Sequence, residues 1–230
     1  MKKIICGSRK YKNINFDNLV DSFDIIVRNN MLLPNNNYGT KNSQIQVLNC
    51  HIYQYYKEKK YEDKPITPEG WISVYMQEFG MSENHIRRFF DYLELDSVEF
   101  KHFDDNNTNL MRYVLHTHKI HGVIQKQLRC GLGYIAECIK LNIKPFLIGF
   151  SLESSYALNK QFSNKDGTGI CHNIDFEIDI IKQLHQTGLI DATFCAIKDS
   201  SSLEIDSSLI DPTPAALDVL SKIYKDIEKG

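Results

Sequence analysis

Three features of the 230-residue sequence predict an α/β fold, a mainly parallel sheet flanked by helices, with a small lid region. A helical stretch at 131–142 (GLGYIAECIKLN) is followed at once by the apolar strand Phe146–Ile148, and helix, short turn, strand is the crossover pattern of parallel sheets. The early chain holds three apolar runs, 4–6, 23–27 and 45–48, rich in Ile and Val as buried strands are, and each soon meets small or amide residues. After Gly149 the chain turns polar for about twenty residues, until Cys171 and His172 lead into the helix-periodic stretch 175–186. Ligands of open α/β sheets bind outside the carboxyl ends of the strands, so a long polar excursion there marks a candidate lid over a site. The division expected is an α/β domain at 1–150, a lid loop at 151–171, and the rest of the domain with a C-terminal helix at 172–230.

Composition narrows the class. The chain is 42% hydrophobic and 24% charged, as globular proteins are. Its formal net charge of -2 argues against nucleic-acid binding through a broad basic surface, which needs Lys and Arg in excess, and leaves room for a basic pocket around one phosphate. The six cysteines, Cys6, Cys50, Cys130, Cys138, Cys171 and Cys195, form no CxxC pair. With an opening MKKIICG that turns polar too early for a secretory leader, they predict free thiols in a reducing cytoplasm. No apolar run reaches the roughly 20 residues that span a bilayer, so the expectation is a soluble protein, at most resting on a membrane surface.

In order, the strand 4–6 ends at Gly7-Ser8, which is either an ordinary tight turn or a place where backbone N–H groups approach a phosphate. A helical turn is expected at 16–20, then the strand 23–27 leading to Arg28-Asn29-Asn30, then the strand 45–48 leading to Asn49. Asn has one acceptor and two donors on a short arm, suited to a base edge or a ribose; it is also a good turn former. A helix is expected at 51–60, a charged connection with Pro65 and Pro68 at 57–68, and a helix at 82–93 with Arg87 and Arg88 facing out. A short strand at 98–103 and a polar turn at 104–109 follow.

His116, His118 and His121 tempt a metal reading. On a helix only His118 and His121 share a face, on a strand only His116 and His118, and no HExxH or nearby carboxylate completes a ligand set, so no metal is expected. Gly131 and Gly133 open the next helix, where a phosphate or sugar could approach its N-terminus. After the lid come a helix at 176–184, a last strand at 192–197, and an amphipathic helix within 211–230 expected to pack on the body or on a neighbouring subunit.

Taken together, MKKIICG, Phe23-Asp24, Asn29-Asn30, Val47-Leu48-Asn49, Cys130-Gly131, Gly149, Ser154-Ser155-Tyr156-Ala157-Leu158 and His172 ahead of Glu177-Ile178 follow an order and rough spacing. Over most of residues 1–185 that order resembles the bacterial sialyltransferases of glycosyltransferase family 42, which cap lipooligosaccharides with sialic acid. The resemblance implies a Rossmann-like variant of the GT-A fold whose residues 1–150 bind a nucleotide sugar. It implies a CMP-activated sialic acid or related nonulosonate as donor, with no metal or other cofactor. The acceptor would be a galactoside or sialoside of a lipooligosaccharide or capsule-like glycan. His172 would be the general base of an inverting transfer and Tyr156 a donor to the leaving phosphate. Asn29, Asn30 and Asn49 would hold cytidine and ribose, with Gly7, Ser8, Cys130, Gly131 and Ser151 also on the donor, and Gln127 or Arg129 on the acceptor. A homo-oligomer, cytoplasmic or peripheral to the inner membrane, is implied as well.

The chain also departs from that pattern. Its first loop is shortened to Gly7-Ser8-Arg9, Ser151-Leu152-Glu153 stands where the family has a second phosphate-contacting Tyr, and Cys130 replaces a Ser. A carboxylate at 153 would repel a phosphate if it faced inward. Two other classes therefore stand beside the enzyme: a nucleotide-binding or regulatory α/β protein without turnover, and a structural α/β protein.

Overall fold

A computed structural model describes residues 1–7, 9, 11–29, 38–41, 45–49, 73–77, 91, 99–102, 107–124, 128–153 and 173–227. Six strands form one sheet: β1 (Lys3–Cys6), β2 (Ile25–Asn29), β3 (Ile45–Asn49), β4 (Ser73–Gln77), β5 (Glu99–His102) and β6 (Phe146–Ile148). Their spatial order is β5-β4-β3-β2-β1-β6, and every pairing is parallel, as the crossover pattern predicts. The order reverses between β1 and β6. Crossovers diverge at such a switch point, and the carboxyl ends of the two strands border the place where α/β sheets bind ligands.

The helices among the described residues are α1 (Asp17–Asp21), α2 (Asn107–Thr117), α3 (Cys130–Lys140), α4 (Ile174–Gln186) and α5 (Pro214–Ile227). Strand side chains alternate between faces, so β1 sends Ile5 to one core and Ile4 and Cys6 to the other. The Ile5 face, with Val27, Val47 and Leu147, is covered by α2, α3 and α4 through Met111, Val114, Ile135, Ile139, Ile181 and Leu184. The Ile4 face, with Cys6, Ile26 and Ile148, is covered by α1 and by α5, whose Ala216, Val219, Leu220 and Ile223 are buried. The C-terminal helix thus packs on the body.

Helix ends follow local chemistry. The Asn173 side chain accepts a hydrogen bond from the Phe176 N–H at 3.2 Å and caps α4, with Asp175 and Glu177 in the first turn, where the helix dipole favours negative charge. At the end of α3, Asn142 takes a positive φ of 56° and Ile143 N donates back to Cys138 O at 2.8 Å, a helix stop that Asn tolerates.

Four expectations need correction. The strand at 192–197 is a 3-10 turn, Thr193–Ala196. Asp191 alone bridges to β6, and its carboxylate then takes the Thr193 N–H at 3.1 Å and the Thr193 hydroxyl at 2.7 Å, which turns the chain away from the sheet. The polar turn at 104–109 already contains the start of α2, because Asn and Thr favour helix starts and Leu110, Met111, Val114 and Leu115 supply a buried stripe. The second strand begins at Ile25, since Phe23 N closes a turn onto Val20 O at 3.1 Å, and it extends through Arg28 and Asn29. β4 (SVYMQ) was not foreseen; five residues of mixed polarity give little periodic signal. The helix expected at 51–60, the connection at 57–68, the helix at 82–93 apart from helical Asp91, and the lid beyond residue 153 lie outside the described residues.

Candidate active site at the sheet's carboxyl edge

Gly7 and Gly149 follow directly on β1 and β6, the two strands at the switch point. Gly7 N donates to Ile148 O at 2.7 Å and Arg9 N to Gly149 O at 2.9 Å, which knits the two strand ends together. A Cβ on Gly7 would run into the Gly149 carbonyl oxygen and lie 2.9 Å from Phe150 N, both backbone atoms that cannot yield. Gly149 has a φ of +74°, which side chains disfavour, and its Cβ position is already taken by the Tyr38 ring, with Cζ at 2.8 Å. Both glycines are needed for the approach of the two strand ends.

One strand away, Asn29 points to the α3 side of the sheet. Its Nδ2 donates to Cys6 O at 3.0 Å, and its Oδ1 is buried with no hydrogen-bond partner among the described residues. The residue as a whole is 6% exposed. An orphaned buried acceptor costs about 1–3 kcal/mol, which a ligand donor would recover. Next to it lies Gly131 in the first turn of α3: a Cβ there would sit 3.1 Å from Asn29 Nδ2 and 3.2 Å from the Phe150 ring. The start of α3 carries the positive end of a helix dipole and suits an anion. An acceptor beside a helix N-terminus, at the switch point of a parallel sheet, can hold a nucleoside monophosphate: the acceptor for an amino or hydroxyl hydrogen, the helix end for the phosphate.

Arg129 precedes α3 and is tied to the buried carboxylate of Glu177 in α4. Its N–H donates to Glu177 Oε1 at 3.0 Å, and its Nε forms a short ion pair with Oε2. That pair fixes the start of α3 to the start of α4. Cys130 is fully enclosed; burial pushes its thiol up to about 12, against the pull of the Gly131 N–H, so it is a neutral thiol at neutral pH. Ser151 is buried, and its hydroxyl donates to Glu153 O at 2.6 Å while accepting the Glu153 N–H at 3.2 Å, a local turn beside the rim.

The structure thus brings Gly7, Asn29, Gly131 and Gly149 to one edge, with Cys130, Arg129 and Ser151 around it. For Asn49 only the backbone, at the end of β3, is described, and Ser8, Asn30, Gln127, Tyr156 and His172 lie outside the described residues. His116, His118 and His121 are all exposed, and no group of three His, Cys, Asp or Glu among the described residues could hold a metal ion. Phe150 and the Glu177 clamp were missed as site neighbours. An aromatic directly after the strand-ending glycine was the available signal for the first; the second depends on contact between helices far apart in sequence.

No family model matches the chain, and no curated protein does. Solved structures to which it is similar include sialyltransferase CstII from Campylobacter jejuni in complex with the substrate analogue CMP-3FNeuAc, at 18% identity and a TM-score of 0.49, covering 96% of this chain and 99% of that one. Another is the monofunctional alpha-2,3-sialyltransferase Cst-I from Campylobacter jejuni, at 16% identity and a TM-score of 0.46, covering 100% and 95%. A third is CstII in complex with cytidine-5'-monophosphate, at 20% identity and a TM-score of 0.46, covering 81% and 77%.

Proposed function

We propose that the chain is a glycosyltransferase that moves a sialic acid, or a related nonulosonate, from a CMP-sugar to a galactoside or sialoside acceptor of a surface glycan. The observation that carries the reading is the orphaned Oδ1 of Asn29 beside Gly131 at the start of α3. Cytidine offers an amino group and ribose hydroxyls to such an acceptor, and a monophosphate suits the helix end. The ordered motifs of the sequence point to the same donor.

In this reading the acceptor hydroxyl oxygen attacks the anomeric carbon as the bond from that carbon to the phosphate oxygen breaks, with inversion. His172 takes the hydroxyl proton, and CMP leaves with the bonding electrons. Tyr156 donates a hydrogen bond to the departing phosphate, which stabilises the growing charge. Asn29, Asn30 and Asn49 hold the nucleoside, and Arg129 or Gln127 borders the acceptor.

The test is CMP release from CMP-N-acetylneuraminic acid, with and without a galactoside, for the wild type and His172→Ala. Release that rises with the acceptor and falls by about a hundredfold or more in the variant supports transfer with His172 as base. CMP binding without release by the wild type would favour a nucleotide-binding protein without turnover, and no CMP binding would remove the donor reading altogether.

A further inference from the structure

Tyr38 lies outside every motif named above, yet it joins the two strand ends of the rim. Its ring fills the space over Gly149, with Cζ 2.8 Å and Cε1 3.0 Å from where a Cβ would stand, and its hydroxyl donates to the Arg9 carbonyl. Behind it, the ring stacks on Phe16 with centroids 5.8 Å apart and meets Tyr11 edge-on at 6.4 Å. The residue is 2% exposed. Burial pushes the phenol far above its ordinary range, so the hydroxyl stays protonated and stays a donor.

The backbone around Tyr38 is gripped from three sides. Arg28 Nη2 donates to Tyr38 O at 2.7 Å; Gly39 N donates to Asp17 Oδ1 at 2.9 Å; Thr40 N and Lys41 N both donate to the Asp21 carboxylate, at 2.9 and 3.2 Å. Arg28 is fully buried, and its Nε and Nη1 have no hydrogen-bond partner among the described residues. A buried guanidinium is costly for stability. What it does do is hold the carbonyl of Tyr38.

We propose that Tyr38, held by Arg28, is the positioning residue of the nucleotide rim: its hydroxyl and ring set Gly7 and Arg9 against the Gly149 turn, in the geometry that lets the nucleotide's phosphate reach the start of α3. The consequence for the nucleotide rests on the CMP reading above. The positioning itself does not.

The test uses Tyr38→Phe, which keeps the ring and removes the hydroxyl. Amide hydrogen exchange reads positioning without ligand: exchange at Gly7 and Arg9, whose N–H groups bond to β6 and Gly149, should quicken by about tenfold while the amides of α4 and α5 stay unchanged. Titration with CMP reads the consequence: the dissociation constant should rise about five- to tenfold, because a loosened rim spends only part of its time in the arrangement that binds, at temperatures where the variant is fully folded. Unchanged exchange at Gly7 and Arg9 would overturn the proposal, as would quickened exchange with an unchanged CMP dissociation constant, since a merely structural hydroxyl would lower the melting temperature and leave CMP affinity alone. A wild type that fails to bind CMP would sink the CMP reading instead, and the exchange arm would then decide the positioning by itself.

Discussion

The two faces of the sheet are filled with different side chains. Tyr11, Phe16, Phe23, Tyr38, Phe146 and Phe194 crowd the face under α1 and α5, with Phe146 stacked on Phe194 at 5.6 Å and Phe23 edge-on to Phe146 at 5.1 Å. The face under α2, α3 and α4 is mostly aliphatic, and only Tyr134 and Phe150 are buried rings among its described residues. The aromatic face closes over the carboxyl edge with loops that hold the strand ends. The aliphatic face instead brings a helix N-terminus to that edge. The rings of the aromatic face that lie away from the carboxyl edge should therefore act on stability, and residues at that edge, Tyr38 among them, on binding.

The largest effect is expected from Phe194→Ala, which empties the centre of the aromatic stack and should cost about 3–5 kcal/mol in urea unfolding. A loss below about 1 kcal/mol would mean that the stack does not carry that face. Gly7→Ala comes next: its methyl group meets backbone atoms of Gly149 and Phe150, and a loss of about 1–3 kcal/mol is expected together with weaker CMP binding, because the residue lies where the two faces meet.

Alkaline pH tests buried thiols on both faces, Cys6 on the aromatic one and Cys130, Cys138 and Cys195 on the aliphatic one. Burial raises the thiols of Cys6, Cys130 and Cys195 to about 12 and that of Cys138 to about 11. A thiol raised in the folded state binds its proton more tightly there than in the unfolded chain. Its contribution is therefore complete below the unfolded value of about 8.5 and is lost as pH rises toward the folded value. Urea unfolding should show stability falling from about pH 9 upward, and Cys6→Ala should flatten that fall. A flat profile to pH 11 would contradict the burial of these thiols.

At the acid end the strap at 38–41 is the sensitive element. Partial burial of Asp21 pulls its carboxyl upward, but the hydrogen bonds from Thr40 and Lys41 outweigh that and hold it below the usual range. Its contribution is present above the unfolded value of about 3.9 and lost as pH falls through the folded one. Protection of the Thr40 and Lys41 amides, taken relative to the intrinsic exchange rate at each pH, should fall below about pH 4, ahead of that of α3.

The smallest effect on stability should come from Gly131→Ala. Alanine favours a helix over glycine by up to about 1 kcal/mol, which offsets the tight contact with Asn29, so the melting temperature should hardly move while CMP binding weakens. A large loss of stability would place Gly131 in the core and not at the rim.

Much of this was legible in the sequence because it is local. The crossover at 131–148 gives α3 and β6, the Ile and Val runs give β1, β2 and β3, and Gly7, Gly149, Asn29 and Gly131 stand at strand ends or a helix start, around the candidate site. What escaped depends on tertiary contact. Arg28 reads as the polar end of a strand and is instead fully buried beneath Tyr38; Glu177, an acid in the first turn of α4, is also the clamp on Arg129. The stretch 192–197 has the composition of a strand, but the Asp191 carboxylate bends it into a 3-10 turn. Local propensity does not report such long-range partners.

The central claim is that the rim beside Asn29 receives a nucleoside monophosphate, and calorimetric titration of CMP into the wild type and Asn29→Ala tests it most directly. Saturable binding by the wild type, weakened about tenfold or more in a variant that still melts cooperatively, is the predicted result. Equal CMP affinity in the two proteins would contradict it.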